Sequence, residues 1–298
     1  HQHLWSTANL TSRLSGFFAS KLMKSRTVAL EPHERPRVFQ HQDFKGQVYQ
    51  LDEPVLDTAS LVQALAVPQQ DAIFSCDAHS LQLRDNGSGV DIAWQHRAQT
   101  YRLTARKIIM CAGAGNAALV QQLGLSQPQM QLRPLHMVML RGMAEPLYAH
   151  CLGASTVPRL TITAHPDGDA GWVWYLGGQL AEEGVARSAA EQIRAAQAEL
   201  ADLLPWLELS AAQWATLRID RAEPRQQGEQ RPDTAFVQQQ GNAIITWPTK
   251  LALSPLLAAE VEQLIEHVGL APATTAPLAL SEFPAYARLP WQEVQAWS

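Results

Sequence analysis

Residues 107–124 read KIIMCAGAGNAALVQQLG. Gly113, Gly115 and Ala118 fit the pattern G-x-G-x-x-A, in which glycines let a turn approach a dinucleotide pyrophosphate closely. Such a fingerprint needs an acidic residue about 20 positions on, to bind the ribose. None occurs between Asn116 and Ala144, and Glu145 is the first. The plain alternative is a strand-to-helix turn. A second stretch, Trp247-Pro248-Thr249-Lys250-Leu251, joins an apolar run to a helix start at Ser254-Pro255. A cation there beside helix N–H groups would stabilise developing negative charge. Otherwise it is a connection carrying an exposed lysine. Arg221, within RIDRAEP, could form a bidentate pair with a carboxylate or phosphate. Alternation places it on the same face as Glu223, so a local ion-pair network is the other reading. His136, after Pro134 in RPLHMVMLRG, is either a site residue or a satisfied core histidine. The histidines form neither H-E-x-x-H nor a close ligand cluster, so no metal site is expected. No G-x-S-x-G elbow and no P-loop is present.

The bulk numbers narrow the class. The chain has 298 residues, 46% hydrophobic and 17% charged, a globular balance whose length suggests about two domains. A net charge of -5 without a basic run gives no support for nucleic acid. No apolar stretch is long enough to span a bilayer. Cys76, Cys111 and Cys151 are widely spaced and are expected to be reduced, buried residues of a cytoplasmic protein.

The positioning elements follow from periodicity. Residues 9–26 carry apolar positions at helical spacing. GQVYQLDEP predicts a strand, and Asp57-Thr58 caps a helix over Ala59–Ala66. DAIFSC is short and apolar and is expected to be a strand. HSLQLRD, VDIAWQH and TYRLTA alternate around turns, an antiparallel meander. KIIMC is continuously apolar and is expected to be buried on both faces. Strands are also predicted in LRPLHMVMLRG, PRLTITAHP, GWVWYLGGQL, WATLRIDRAEP and NAIITWP. In the third, Trp172, Trp174 and Leu176 share a face. Ser188 and Glu191 make a capping box for a helix to Leu204. A last helix runs from Ser254 to about Val268, residues 225–234 are a loop, and the proline-bearing tail from Ala271 is expected to wrap the surface.

The order of these pieces carries a resemblance. VYQLDEPVLDTASLVQAL, a meander and RKIIMCAGAGN are followed late in the chain by GNAIITWPTKLALSPLLAAEVEQL. From about Leu4 to Val268 this is similar to FAD-dependent oxidoreductases of the D-amino-acid oxidase and glycerol-3-phosphate dehydrogenase superfamily. The resemblance implies a mixed α/β fold: a partial Rossmann-like FAD domain with a three-stranded meander, and an antiparallel-sheet substrate domain with helices. It assigns 52–125 and 240–270 to the FAD domain, 1–51 and 126–239 to the substrate domain, and 271–298 to a tail. Ala112, Gly113, Ala114 and Gly115, with Pro248, Thr249, Lys250 and Leu251, would then touch FAD. Lys250, Arg221 and His136 become the candidate catalytic residues. The implied reaction takes a hydride from a small anionic amine or hydroxy compound, such as an amino acid, a 2-hydroxy acid or glycerol 3-phosphate. The acceptor stays open among oxygen, a quinone and a carrier protein. The family's opening G-x-G-x-x-G segment is not seen before Trp5, so a partial chain, with weak FAD affinity on its own, is expected. The alternative is a non-catalytic remnant of the fold that binds a partner protein.

Overall fold

The computed structural model describes residues 1–7, 27–153, 157–226, 232–267, 269 and 283–298. In chain order the first elements are β1 (His3–Ser6), β2 (Thr27–Ala29), β3 (Gln47–Leu51), α1 (Thr58–Ala66), β4 (Gln82–Asp85), β5 (Val90–His96), β6 (Gln99–Ala105), β7 (Ile108–Met110) and α2 (Asn116–Gln122). There follow β8 (Met130–Met143), β9 (Tyr148–Cys151), β10 (Leu160–Pro166), β11 (Trp172–Gly177), α3 (Gln179–Glu183) and α4 (Ala189–Leu203). The last are β12 (Gln213–Pro224), β13 (Phe236–Gln240), β14 (Ala243–Trp247) and α5 (Ser254–His267). The helix expected within 9–26 lies outside the described residues, as does the tail from 271 to 282.

The chain divides into two compact units. One comprises His1–Leu65, Pro134–Ile219 and Ala287–Ser298, the other Ala66–Arg133 and Asp220–Tyr286. This division differs from the expected one: residues 126–133 and 220–239 belong with the glycine turn, and 52–65 and 287–298 belong with the larger sheet.

The first unit is built on an eight-stranded sheet of order β12-β8-β11-β10-β9-β1-β3-β2. Its pairs are antiparallel at β1/β3, β9/β10, β10/β11 and β8/β11, and parallel at β1/β9. Strand alternation gives it two unlike faces. One carries Val138, Leu140, Ala149, Cys151, Leu160, Ile162, Ala164, Trp174 and Leu176, all buried, with Trp172 packed at the margin. Ala196, Leu200 and Leu203 of α4 cover it. The capping box at the start of α4 is present: Ser188 Oγ accepts from Glu191 N–H at 3.3 Å, and Glu191 Oε2 accepts from Ser188 N–H at 2.8 Å. Asp57 caps α1, its Oδ1 2.6 Å from Ser60 N. At the C-terminus, Trp291 is buried beside Met139, Val173 and Ala215, and Ser298 N–H donates to Trp214 O at 3.0 Å. Among the described residues of the tail only Trp291 is buried, with Leu289, Val294 and Trp297 packed partly against that cluster, so 283–298 runs over the surface and is pinned there by Trp291.

The second unit holds two three-stranded sheets, β4-β5-β6 and β13-β14-β7. The meander forms as its alternation predicts. Asn86 Oδ1 accepts from Ser88 and Gly89 N–H, closing the first turn. The second turn is the pair Arg97-Ala98, both at positive φ, the two-residue geometry that matches strand twist. DAIFSC, by contrast, is not a strand. In the other sheet β14 is buried throughout and pairs antiparallel with β13 and parallel with β7. Met110, Val120, Ala243, Ile245 and Trp247 form its core cluster, each large side chain contributing about 1.5–3 kcal/mol by leaving water. Among the described residues β7 stands at the edge of this sheet, and Ile109 is 43% exposed. The expected two-faced burial is therefore corrected, because continuous apolar character does not distinguish an edge from an interior strand. Cys76 and Cys111 are exposed and only Cys151 is buried, with all three free. No helix among the described residues is long and apolar enough to cross a membrane.

Candidate functional site at paired strand ends

β7 and β14 run parallel, and their last paired residues are Met110 and Ile245. Past that point the β7/β14 ladder stops: β7 ends at Met110, while β14 runs on to Trp247, still paired with β13. Ligands of open α/β sheets bind outside such carboxyl ends. The two motifs singled out in the sequence, 111–115 and 248–251, are therefore brought together here by strand pairing. Cys111, Ala112, Ala114, Gly115, Pro248, Lys250 and Leu251 are all exposed.

The turn geometry explains the residue types. Gly113 sits at φ +56° in a one-turn 3-10 helix, Gly113–Gly115, where a side chain is strained. No atom lies within 4 Å of the position its Cβ would take. The glycine thus serves the backbone, and the space above it is open. In the other loop Lys250 N–H donates to Pro248 O at 2.7 Å, closing a three-residue turn with Thr249 at φ +61°. This γ-turn variant is rare and strained. Strain at a β-branched residue, about 1–3 kcal/mol, is a mark of functional loops. Thr249 Oγ1 donates to Thr234 O at 3.0 Å and helps hold it.

Side chains take over where the ladder ends. Asn116 is wholly buried; its Oδ1 accepts from Ala112 N–H at 2.9 Å and its Nδ2 donates to Thr246 O at 3.0 Å. Thr246 Oγ1 donates to Met110 O at 3.0 Å. Trp247 Nε1 donates to Gly113 O at 3.0 Å. Four backbone groups orphaned by the diverging strands are satisfied in this way, as buried polar groups require. The sequence reading did not single out this trio. The available signal was a lone Asn opening a helix directly after the glycines.

The other candidates are placed as follows. Arg221 lies on β12 in the same unit as the two turns. Its neighbour Glu223 is buried, 2.5 Å from Arg133 Nε and 2.9 Å from Gln131 Nε2. An ion-pair network is therefore present on this strand. His136 belongs to the other unit and is 1% exposed. Its Nδ1 is 3.0 Å from Gly184 O, and its own carbonyl accepts from Gln192 Nε2 at 2.7 Å. Burial lowers its pKa. That is the setting of a core histidine. Among the described residues, no group of three or more His, Cys, Asp and Glu could hold a metal.

The larger sheet, in the other unit, has a polar face of its own. On the face opposite α4, His150 pairs with Thr161, Tyr148 with Thr163, and Thr163 with Tyr175. Burial holds the His150 imidazole down to about 4 and pushes the Tyr175 phenol up to about 12. Both side chains are thus neutral hydrogen-bonding groups at physiological pH. His165, on the same face, is also lowered by burial, against the opposing charge of Asp57.

Comparison with known proteins gives this arrangement its context. No protein-family model matches the chain. A probable FAD-dependent oxidoreductase of Pseudomonas aeruginosa is 44% identical over 292 residues, which cover 97% of this chain and 73% of that protein. The crystal structure of the FAD-dependent oxidoreductase from Pseudomonas aeruginosa superposes with a TM-score of 0.82 at 40% identity, over 98% of this chain and 74% of that one. The L-α-glycerophosphate oxidase of Mycoplasma pneumoniae, solved with FAD bound, shares the fold at a TM-score of 0.56 and 9% identity, over 96% of this chain and 77% of that one. With a relative of this identity across nearly all of its length, the chain belongs to the FAD-dependent oxidoreductases.

Proposed function

We propose that this FAD-dependent oxidoreductase removes a hydride from a carbon bearing an amine or hydroxyl in a small anionic substrate. The class is an amino acid, a 2-hydroxy acid or glycerol 3-phosphate. The observation that carries this reading is that the 111–115 and 248–251 turns both follow the carboxyl ends of the parallel β7/β14 pair, with open space over Gly113.

The residues present fit FAD. Gly113 leaves a gap that any Cβ would narrow. The first N–H groups of the 3-10 turn have no partner within the turn itself. Ala112, Gly113, Ala114 and Gly115 would hold the cofactor by backbone contact, and Pro248, Thr249, Lys250 and Leu251 would border it from the second loop. Bound FAD supplies a two-electron acceptor for the substrate hydride. Lys250 supplies positive potential at this strand end, which favours a neighbour that gains negative charge. Arg221 is suited to a substrate carboxylate or phosphate through its planar fork.

The test is anaerobic absorbance of the holoenzyme from the complete gene, mixed with each substrate class in turn. Bleaching of the flavin bands by one class supports the reading. A flavin that dithionite reduces, but that no amino acid, 2-hydroxy acid or glycerol 3-phosphate reduces, would sink it.

A further inference from the structure

The parallel ladder between β7 and β14 ends at Met110 and Ile245. Beyond it β7 has ended while β14 runs on to Trp247, and ladder bonds no longer join the two backbones. Asn116 spans this gap. It holds the turn by the Ala112 N–H and the facing strand by the Thr246 carbonyl. The amide orientation is dictated by its partners: the oxygen must face the N–H and the nitrogen must face the carbonyl. Reversal would break both bonds. Asn116 is 0% exposed and Thr246 1%, so solvent cannot replace either bond. Trp247 adds a third tie, to the Gly113 carbonyl, so the glycine turn is fastened on both sides of its positive-φ residue.

We propose that Asn116 is a positioning residue for the flavin: its buried amide sets the spacing of the two strand-end turns and so tunes cofactor affinity. This rests on the assignment of those turns to FAD, and it adds a residue that does not itself face the open space. The fit is specific to an amide, since one group must accept and donate across the gap. A carboxylate can accept from Ala112 N–H but sets its other oxygen against the Thr246 carbonyl. A protonated carboxyl restores the donor. Asn116→Asp should therefore act as a pH-gated copy of the wild-type contact, with its pKa raised by burial and by the facing carbonyl. The other ionisable group that this network reaches is the Cys111 thiol, 3.3 Å from Thr246 Oγ1.

The experiment measures the FAD dissociation constant and melting temperature of holoenzyme from the complete gene, as wild type, Asn116→Ala, Asn116→Asp and Val120→Ala. Val120 lies on the same helix as Asn116 and in the cluster that holds Met110 and Trp247, without joining the hydrogen-bond network, so it reports general loss of packing. The expected results are an affinity about ten-fold or more weaker in Asn116→Ala, near wild type in Val120→Ala at a comparable melting temperature, and in Asn116→Asp rising as pH falls while wild type stays flat. Equal weakening in Asn116→Ala and Val120→Ala would overturn the positioning role, as would an Asn116→Asp affinity that does not respond to pH. A wild-type protein that neither retains nor takes up FAD would instead overturn the cofactor assignment beneath it.

Discussion

Replacing Gly113 by alanine separates the two reasons a glycine can be required. The backbone reason is its φ of +56°. An alanine there costs about 1 kcal/mol, partly offset by a less flexible unfolded chain. The spatial reason cannot apply to the free protein, because nothing lies within 4 Å of the added Cβ. The account therefore predicts a stability loss of about 1 kcal/mol, a melting shift of a few degrees for a chain of this size. If FAD packs against the turn, the methyl group enters an occupied contact, and such overpacking costs about 1–3 kcal/mol, or about 5- to 150-fold in Kd. Gly124 is a matched control in the same unit: φ +69°, and also nothing within 4 Å. Thermal melts and FAD titrations of Gly113→Ala and Gly124→Ala, side by side, should show similar stability losses and unlike affinities. Equal affinities would refute the placement of the cofactor over Gly113.

Further predictions concern the chemistry and the pH response. Lys250→Met should lower kcat by about ten- to a hundred-fold and lower the flavin midpoint potential, measured by dye equilibration; an unchanged potential would remove Lys250 from the site. Arg221→Lys should raise KM for an anionic substrate with little change in kcat, since a point charge replaces a planar fork; steady-state kinetics decide it. The His150 imidazole is held near 4 when folded against 6.5 unfolded. The unfolded state therefore binds more protons between these values, and stability rises with pH across that window. It is fully present above about pH 6.5 and falls by about 2–3 kcal/mol as pH drops to 4. Urea unfolding of wild type and His150→Gln from pH 4 to 7 should show that slope weakened in the variant.

What the sequence revealed was what is local. The Ser188/Glu191 capping box, the Asp57 cap and the meander turns are set by residues within a few positions of one another, and they stand as read. The Trp172, Trp174 and Leu176 stripe follows from two-residue alternation and does pack into one cluster. What stayed hidden depends on which strands become neighbours. The apolar run Ile108–Met110 could not show that β7 is an edge, nor that Ile109 faces outward. The Asn116 contact joins residues 130 apart, so a single Asn in the string carried no hint of its partner. The polar face of the larger sheet arises from register between β9, β10 and β11 and has no counterpart in any one segment. The two turns proposed to hold the cofactor were legible singly, through glycine and proline punctuation; their meeting is a product of the parallel β7/β14 pair.

The central claim is that the flavin lies against the ends of that pair. The crystal structure of the FAD-loaded holoenzyme tests it most directly. The account predicts cofactor density in van der Waals contact with Ala112–Gly115 on one side and with the 248–251 loop on the other. A flavin bound with both turns still open to solvent would contradict it.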